Sequence, residues 1–326
     1  MQTKTFKWVF RVASGPKSGG GHLMRSLALA QVLSKTGRVL FFLDKEGKSW
    51  REYLETFGFD IVIGARPEQF ECFAAIIDGY VFGPTEYDWL RNFAKYIIII
   101  DDRIEVIPFA DLAILPSINS TTFDAHPRVL SGCRYALLGP EYQEPCVWKP
   151  NGAVNKLLIS FGIVDSLHCT TATLHALRDV GFNGEVRVML SSDSKQINQL
   201  NQIAKQAKYR LHLAIGEYGA HQHISWSDFV IGAGGQNLVE RIALGRPSIT
   251  VVTADNQKGQ VVYFERIGAT KVTIRRQNTF VSDLSKSLYE ILRSPMQLAR
   301  MSTVARSCVD GKGTERVANA LYGLVA

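Results

Sequence analysis

The sequence predicts two doubly wound α/β domains that follow each other along the chain and face each other across a central cleft. Three observations predict this. The chain has 326 residues, about twice the usual domain length; uniformly apolar runs alternate with amphipathic segments; and the alternation is interrupted once near the middle. Strands buried on both faces read as continuous apolar runs, and the connecting helices cover those faces. We therefore expect parallel sheets with ligand sites at the carboxyl ends of their strands.

The first domain is predicted at residues 1–143 and the second at 156–308. Residues 139–155 carry three prolines and little periodicity, so we place a linker at 144–155 and a final helical segment at 309–326. The strands predicted in the first domain are Trp8–Ala13, Val39–Leu43, Asp60–Ile63, Ala74–Asp78, Ile97–Ile100, Leu112–Leu115 and Tyr135–Leu138, with helices at 23–33 and 86–94.

The second domain repeats the alternation of strands and helices. Its predicted strands are Lys156–Phe161, Glu185–Leu190, Arg210–Leu213, Asp228–Ile231, Pro247–Val252 and Thr270–Ile274. Its predicted helices are Thr170–Val180, Gln196–Gln206, Leu238–Leu244, Gln257–Ile267, Val281–Arg293 and Pro295–Val309, and another helix follows at 314–325.

Composition narrows the classes of partner. The formal charge of +7 favours anionic partners such as nucleotides, but no block of like charges or basic stretch with aromatics predicts nucleic-acid binding. The apolar runs are too short to span a bilayer, so we expect no membrane insertion. The five cysteines are scattered without a CxxC spacing, and the first ten residues lack the apolar stretch of a signal peptide. These features favour reduced thiols and a cytoplasmic protein without a zinc site.

A glycine-rich segment, SGPKSGGGHLMR, follows the first strand at residues 14–25. It is not a GxxxxGK[ST] phosphate loop, because Gly20 is followed by Gly21 and His22, and it is not a GxGxxG fingerprint. What remains is a tight loop that opens a helix with a histidine at its entrance. Glycines let the backbone approach a bound group, and the positive end of the helix favours a neutral imidazole that can accept a proton. The alternative is a histidine that only caps or packs.

A second glycine cluster follows a strand at residues 228–257. Gly232, Gly234 and Gly235 can wrap a diphosphate with backbone amides at a helix start. Glu240, further along that helix, can accept hydrogen bonds from ribose hydroxyls. At the next strand–helix junction, the amides of Asn256 and Gln257 can donate to sugar or phosphate oxygens. The alternative is an ordinary α/β turn with a salt-bridged surface glutamate.

Several weaker signals complete the candidate site. Asp78 and Tyr80 end a strand and are expected at the cleft, and the backbone of Ser160 and Gly162 is expected to face phosphate. Asp101 and Asp102 follow the run IIII, where we favour loop and helix capping over a metal site, since no third ligand stands at a useful spacing. His221 and His223 are interpreted as loop residues, and His126, His168, His175 and His212 as structural or solvated ones.

These motifs together resemble a known family. GGGHLMRSLALA, IIDGY, IIIIDD, YALLGPEY, ISFG and VIGAGGxxxxExxxLGxPxxxxxxAxNQ occur in one order along nearly the whole chain. The set resembles the UDP-2,4-diacetamido-2,4,6-trideoxy-β-L-altropyranose hydrolase family of pseudaminic acid biosynthesis. That family is similar to the GT-B glycosyltransferases, especially the N-acetylglucosaminyltransferase that makes lipid II.

The resemblance implies a GT-B architecture of two Rossmann-like domains and cleavage of the anomeric C–O bond of a UDP-sugar with release of UDP. It assigns the base of the GxGHxxR motif to His22, with Arg25 beside it, and the Asp-x-Tyr tyrosine to Tyr80. The remaining implied positions are the nucleotide loop at Gly232, Gly234 and Gly235, the ribose-binding Glu240, and the late amides Asn256 and Gln257. No metal or organic cofactor is implied, and we expect a monomer or a weak dimer.

Two departures from the family pattern point to another UDP-sugar or to weakened activity. The family usually reads FGG followed by Asp-Pro, where this chain has Phe161, Gly162, Ile163 and Val164, and Gln236–Asn237 replace small Ser/Thr residues. Two alternative functions therefore remain: a GT-B glycosyltransferase with a UDP-sugar donor, and a non-catalytic nucleotide-sugar-binding protein.

Overall fold

The computed structural model describes residues 4–15, 18, 20–66, 70–117, 126–144, 153–162, 165, 167–192, 194–276 and 278–324. The chain divides into two compact units. The first comprises Met1–Pro140 with Gly311–Ala326, and the second comprises Glu141–Asp310. The predicted linker at 144–155 falls mostly on residues outside the described ranges.

The first unit contains a parallel sheet of seven strands in the order β3-β2-β1-β4-β5-β6-β7. Its strands are β1 (Lys4–Val12), β2 (Val39–Leu43), β3 (Asp60–Ile63), β4 (Phe70–Asp78), β5 (Ala94–Ile100), β6 (Leu112–Leu115) and β7 (Val129–Ser131), and its connecting helices are α1 (Gly21–Leu33), α2 (Arg51–Glu55) and α3 (Pro84–Arg91). The central strands are buried on both faces, as their continuous apolar runs predict.

The second unit contains a parallel sheet of six strands in the order β10-β9-β8-β11-β12-β13. Its strands are β8 (Lys156–Ser160), β9 (Glu185–Leu190), β10 (Arg210–Ile215), β11 (Phe229–Ala233), β12 (Ser248–Val251) and β13 (Lys271–Thr273). Its helices are α4 (Cys169–Asp179), α5 (Ile197–Lys205), α6 (His221–Trp226), α7 (Gln236–Ala243), α8 (Lys258–Arg266), α9 (Phe280–Ile291) and α10 (Pro295–Cys308).

The last helix, α11 (Gly313–Gly323), packs on the first unit. The Tyr322 hydroxyl donates to the Val32 carbonyl of α1 at 3.3 Å. The Thr314 hydroxyl donates to the Leu138 carbonyl at 2.7 Å and accepts from the Leu138 amide at 2.9 Å. The end of the chain therefore contributes to the unit in which the chain begins.

Two local predictions were wrong. The apolar run Tyr135–Leu138 is not a strand; the seventh strand is β7, and a 3₁₀ turn at Cys133–Tyr135 follows it. Leu138 is nevertheless buried, and its backbone amide and carbonyl bond to Thr314 of α11 instead of to a neighbouring strand.

The second error concerns α6, which was interpreted as a loop. Its six residues, HQHISW, are too few and too polar to show a helical period. His223 in this helix is buried, and its Nε2 lies 3.0 Å from Oε2 of Glu217.

Each sheet has one position at which the strand order reverses, between β1 and β4 in the first and between β8 and β11 in the second. Connections leave such a pair of strands towards opposite faces, and ligands bind outside their carboxyl ends. His22 follows β1 and Asp78 ends β4, while Ser160 ends β8 and the second glycine cluster follows β11. Both groups of predicted site residues thus fall at a switch point. Among the described helices, none has the length and apolar character that crossing a bilayer requires.

Candidate functional site

The first group of candidate residues, here called the imidazole site, consists of His22, Arg25, Asp78 and Tyr80. His22 is the second residue of α1, after the N-cap residue Gly20 and the first helical residue, Gly21. Its Nδ1 lies 2.6 Å from Oδ1 of Asp78, the last residue of β4. Parallel pairing of β1 with β4 brings these two residues, 56 positions apart, to the same edge of the sheet.

The Asp78 carboxylate is fully buried and accepts hydrogen bonds from three side chains of α1. Besides His22, Arg25 donates through Nη2 to Oδ1 at 2.6 Å and through Nε to Oδ2 at 2.8 Å, and Ser26 donates to Oδ2 at 3.0 Å. These three residues stand at positions i, i+3 and i+4 of the helix, which places them on one face. The spacing of His22, Arg25 and Ser26 in the sequence HLMRS therefore lets all three side chains reach the Asp78 carboxylate.

These contacts fix the ionisation state of Asp78. Burial alone would raise the pKa of this carboxyl, but the charges and hydrogen bonds of Arg25 and His22 lower it to about 2. Burial likewise acts to lower the pKa of Arg25, and the Asp78 charge outweighs it, raising that pKa well above its usual value. The site holds a permanent carboxylate–guanidinium pair.

The permanent charge of Asp78 determines the tautomer of a neutral His22. A carboxylate only accepts hydrogen bonds, so Nδ1 of His22 carries the proton that is donated to Asp78. The lone pair of the imidazole then lies on Nε2, which makes no hydrogen bond to any described residue. This arrangement provides a base whose orientation is fixed by a buried anion.

Tyr80 lies beside His22 and connects it to Asp102, a residue that the sequence motifs did not assign to the site. Its ring meets the His22 ring edge to face, with centroids 4.7 Å apart. Its hydroxyl donates to Oδ2 of Asp102, and Nη1 of Arg25 lies 4.0 Å from the same oxygen. Asp101, by contrast, accepts from the Asp102 amide at 2.7 Å and pairs with Arg103 at 2.7 Å. Asp101 therefore stabilises the loop after β5, and it does not cap the 3₁₀ turn at Ile104–Phe109, whereas Asp102 belongs to the imidazole site.

The second group, here called the glycine-loop site, consists of Gly234, Gly235, Glu240 and Gln257. A Cβ atom at Gly234 would overlap Cγ2 of Val261, whereas at Gly235 it would meet only Nε2 of Gln257, at 3.6 Å. Oε1 of Gln257 accepts from the Gly234 amide at 3.2 Å, which ties the loop to the β12–α8 junction. Among the described residues, the loop is held by side-chain amides and tight packing, and no charged side chain is bonded to Gly234 or Gly235.

Gln260 makes two further hydrogen bonds to this loop, and no sequence motif pointed to this residue. Its Nε2 donates to the Gly234 carbonyl at 2.9 Å and to the Gly235 carbonyl at 3.3 Å. These carbonyls are turned towards α8, which fixes the backbone ahead of the first turn of α7.

Glu240 is buried, with 7% of its surface exposed, so it is not the salt-bridged surface glutamate of the alternative interpretation. Its Oε2 accepts from Nδ2 of Asn237 at 3.0 Å. Burial raises the pKa of Glu240 to about 7, against the opposing effects of Asn237 and Arg241. Its charge therefore changes near neutral pH.

The other predicted binding residues lie near these two sites with differing exposure. Ser160 is buried at the end of β8 and pairs with Gly232 in the sheet, and Gly162 follows with a φ of +87°. Asn256 is exposed in the turn before α8. Ile163 and Val164, which depart from the family motif, lie outside the described residues.

The N-terminal ends of α4 and α7 differ in a way that bears on anion binding. Asp165 accepts from the Cys169 amide at 2.9 Å and from the Thr170 amide at 2.8 Å, so α4 already has a carboxylate at its start. Helix α7 begins after Gly235 and has no side-chain cap. Of these two helix starts, α4 is the one whose first amides are already bonded to a carboxylate, which makes it the poorer site for an anion.

Within the described part of the chain, no group of three or more His, Cys, Asp and Glu side chains is placed to hold a metal ion. Cys72 and Cys169 are buried free thiols.

Solved structures resemble this chain over nearly its whole length, although neither a protein-family model nor a curated protein matches it. MurG from Acinetobacter baumannii gives a TM-score of 0.68 at 18% sequence identity, covering 97% of this chain and 99% of that one. The glycotransferase of kitacinnamycin gives 0.66 at 13% identity, with 98% of each chain covered. Anabaena HepE in complex with UDP and glucose gives 0.62 at 14% identity, covering 98% of this chain and 100% of HepE.

These identities establish the fold and nothing finer. Together with the two parallel sheets, they show that the chain has a GT-B fold of two doubly wound α/β domains, which confirms the predicted fold class.

Proposed function

We propose that this protein cleaves the anomeric C–O bond of a UDP-sugar, with His22 as the general base. The observation that carries the proposal is the hydrogen bond from His22 to Asp78, a buried carboxylate with a pKa of about 2. An anion in this position orients the imidazole and stabilises the imidazolium that forms when Nε2 takes a proton. A histidine that only packs or caps has no need of such a partner.

The reaction is a single displacement. Nε2 of His22 removes a proton from an attacking hydroxyl group, whose oxygen forms a bond to the anomeric carbon. The bond between that carbon and the diphosphate oxygen breaks, and its electron pair leaves with UDP. The configuration at the anomeric carbon is inverted. General-base assistance of this kind contributes roughly 10²–10⁴-fold to the rate.

The glycine-loop site is proposed to bind UDP. The positive end of the α7 dipole and the backbone of the glycine loop before it face the diphosphate, which they also stabilise as the leaving group. Asp165 makes the start of α4 a poorer anion site, so the diphosphate is assigned to Gly234, Gly235 and α7. Ionised Glu240 accepts hydrogen bonds from the ribose hydroxyls, and Nε2 of Gln257 and the amide of Asn256 donate to phosphate or sugar oxygens.

Two candidates remain for the attacking hydroxyl group. The structural neighbours favour transfer to an acceptor, because two of them are MurG and a kitacinnamycin glycotransferase. The motif set favours water as the nucleophile and a UDP-amino-deoxy sugar as substrate, with UDP-2,4-diacetamido-2,4,6-trideoxy-β-L-altropyranose of pseudaminic acid biosynthesis as the specific candidate. Both use the same base and the same leaving group, and neither needs a cofactor.

The test is product analysis by mass spectrometry after incubation with a panel of UDP-amino-sugars, without and then with alcohol acceptors. UDP released together with stoichiometric free sugar supports hydrolysis. UDP released only when an acceptor is present supports transfer. Tight binding of the UDP-sugars without any UDP release would overturn the proposed catalysis and leave the non-catalytic binding protein.

A further inference from the structure

We infer that Arg241 is a positioning residue that supplies a fixed positive charge beneath the glycine loop, residues 232–235, so that the site selects a nucleoside diphosphate over an uncharged nucleoside. This inference rests on the proposed function, because it assigns the charge selectivity of the proposed UDP site. The family motif leaves the position of Arg241 unspecified, directly after the predicted ribose-binding Glu240.

The Arg241 guanidinium is fully buried where the end of β11, helix α7 and strand β12 meet. Nη2 donates to the Ala233 carbonyl at 3.1 Å and to Oγ1 of Thr250 at 3.0 Å, and Nη1 donates to Oδ1 of Asn237 at 2.8 Å. A Cβ atom at Gly232 would lie only 2.5 Å from Nη1. The missing side chain at Gly232 therefore lets the cation lie against the backbone of the glycine loop.

This cation has neutral partners. Its three acceptors are a carbonyl, a hydroxyl and an amide oxygen, and its Nε is buried without a hydrogen-bond partner among the described residues. Burial lowers the pKa of Arg241 to about 9, so the side chain is still charged at neutral pH. Burying an unpaired charge is costly, and a neutral amide donor could satisfy such acceptors without that cost. The positive charge is therefore suited to an anionic ligand at the loop.

A second buried arginine, Arg246, has partners that account for its charge. Its Nε donates to the Ile224 carbonyl at 2.9 Å, and its Nη2 donates to the Ser225 carbonyl at 2.8 Å. Both carbonyls belong to the last turn of α6, and the negative end of a helix dipole favours a cation. The backbone acceptor of Arg241, by contrast, is Ala233 at the end of a strand.

Asn237 connects the cation to the predicted ribose-binding residue. Because a guanidinium only donates hydrogen bonds, Oδ1 of Asn237 faces Arg241, and its Nδ2 donates to Oε2 of Glu240 at 3.0 Å. The family has a small Ser/Thr residue at this position, so the departure of this chain from the family pattern provides a partner for Arg241. The cation, the amide and the carboxyl group form one connected network under the loop.

The guanidinium acts on a ligand through its charge and through the loop that it holds, without touching the ligand. A charge in a buried environment is screened far less than one in water, so its attraction extends through the loop backbone. The attraction grows with the negative charge of the ligand. A diphosphate therefore gains most from Arg241, a monophosphate gains less, and an uncharged nucleoside gains nothing.

The experiment compares ligands that differ in their phosphate charge. Calorimetric titration, or ligand-observed NMR for weak binding, gives the Kd of uridine, UMP and UDP for the full chain, and wild-type affinity is expected to rise in that order. Arg241→Met and Arg241→Gln are expected to weaken UDP binding about tenfold or more, to weaken UMP binding less, and to leave uridine binding unchanged. Arg241→Gln keeps amide donors for Asn237 and Thr250, so it serves as the neutral variant if Arg241→Met does not fold.

Two further variants separate charge from structure. Arg241→Lys keeps the charge but loses the planar set of donors, so it is expected to retain most of the preference for UDP over uridine. Arg246→Met is the matched control. It removes a buried guanidinium that precedes β12, at the opposite edge of the sheet from the glycine loop. We expect it to lower the thermal stability and to leave the preference for UDP over uridine at the wild-type value.

The outcomes separate this inference from the proposed function. A wild-type preference for UDP over uridine that the neutral Arg241 variants retain would overturn the role of Arg241 and keep the proposed UDP site. Equal weakening of uridine and UDP would show that Arg241 only shapes the loop, and a loss of preference in Arg241→Lys as complete as in Arg241→Met would show the same. A wild-type protein that does not bind UDP would remove the proposed UDP site and the inference together.

Discussion

The two switch points of this protein share a topology but differ in their chemistry. At the first, an ionised carboxylate is saturated by donors from one helix, and charges are paired in a fixed network. At the second, the loop is shaped by glycines and side-chain amides, and its carboxyl group, Glu240, has a pKa of about 7. This difference agrees with the proposal that the first site transfers a proton and the second receives the diphosphate.

The environment of Arg241 strengthens this contrast. It is fully buried behind the glycine loop, and its guanidinium donates to the Ala233 carbonyl at 3.1 Å, Thr250 at 3.0 Å and Asn237 at 2.8 Å. These acceptors are all neutral. Burial lowers the pKa of Arg241 to about 9, although the Glu240 charge opposes this. A buried cation without a bonded carboxylate suits a loop that binds a diphosphate.

The largest effect is expected for the base. His22→Ala and His22→Asn should reduce kcat roughly 10²–10⁴-fold, because the attacking group loses its proton acceptor. The UDP dissociation constant should stay at the wild-type value, since His22 belongs to the imidazole site. Steady-state kinetics and calorimetric titration with UDP measure the two quantities. Turnover close to wild type in His22→Ala would remove His22 from the mechanism.

The next largest effect concerns the buried charge pair. Asp78→Asn should lower the free energy of unfolding by about 3–5 kcal/mol, because Arg25 is left buried without its counter-ion. Denaturant unfolding of Asp78→Asn and of Asp78→Asn/Arg25→Met gives the measurement. The double variant should recover part of the loss, and equal stability of both variants would show that the pair is not coupled.

The pH dependence of the same pair has a definite sign. The folded pKa of Asp78, about 2, lies below its usual 3.8. Its contribution to stability is therefore complete above pH 3.8 and is lost as the pH falls towards 2. Wild type should show this loss in acid unfolding, and Asp78→Asn should show less of it.

Substitutions at two adjacent glycines of the glycine-loop site are expected to have different effects, one on stability and the other on UDP binding. Gly234→Ala should cost about 1–3 kcal/mol of unfolding free energy, since the added methyl group overlaps Val261, and Val261→Ala should restore part of it. Gly235→Ala has space for its methyl group, so it should keep stability but weaken UDP binding. Thermal unfolding and UDP titration of both variants test this. Unchanged UDP affinity in Gly235→Ala would place the diphosphate elsewhere.

The smallest effect is a pH dependence of nucleotide binding. In the proposed complex, ribose hydroxyls donate to ionised Glu240, and burial raises the pKa of this carboxyl group to about 7. UDP affinity should therefore rise with pH through 7 and be about tenfold lower at pH 6 than at pH 8, where the carboxyl group is mostly ionised. Glu240→Gln should remove this difference, which separates it from the titration of UDP itself. An identical pH profile in the variant would exclude Glu240 from binding.

The sequence predicted the two sheets and most of their elements because buried parallel strands leave continuous apolar runs. It also placed His22 after one strand and Asp78 at the end of another, and the parallel pairing of β1 with β4 then brings them into contact. It did not separate Asp101 from Asp102, because two adjacent carboxylates look alike until Arg103 engages one of them. The apolar run at 135–138 was wrongly predicted to be a strand, because α11, which is far away in the sequence, packs against it.

A crystal structure of His22→Asn bound to an intact UDP-sugar would test the proposed roles of both sites together. We expect the diphosphate on the amides of Gly235 and the first turn of α7, with the anomeric carbon beside position 22 and its ring oxygen and leaving oxygen resolved. A nucleotide bound elsewhere, or an anomeric carbon too far from position 22 for one attacking oxygen to bridge them, would contradict these roles.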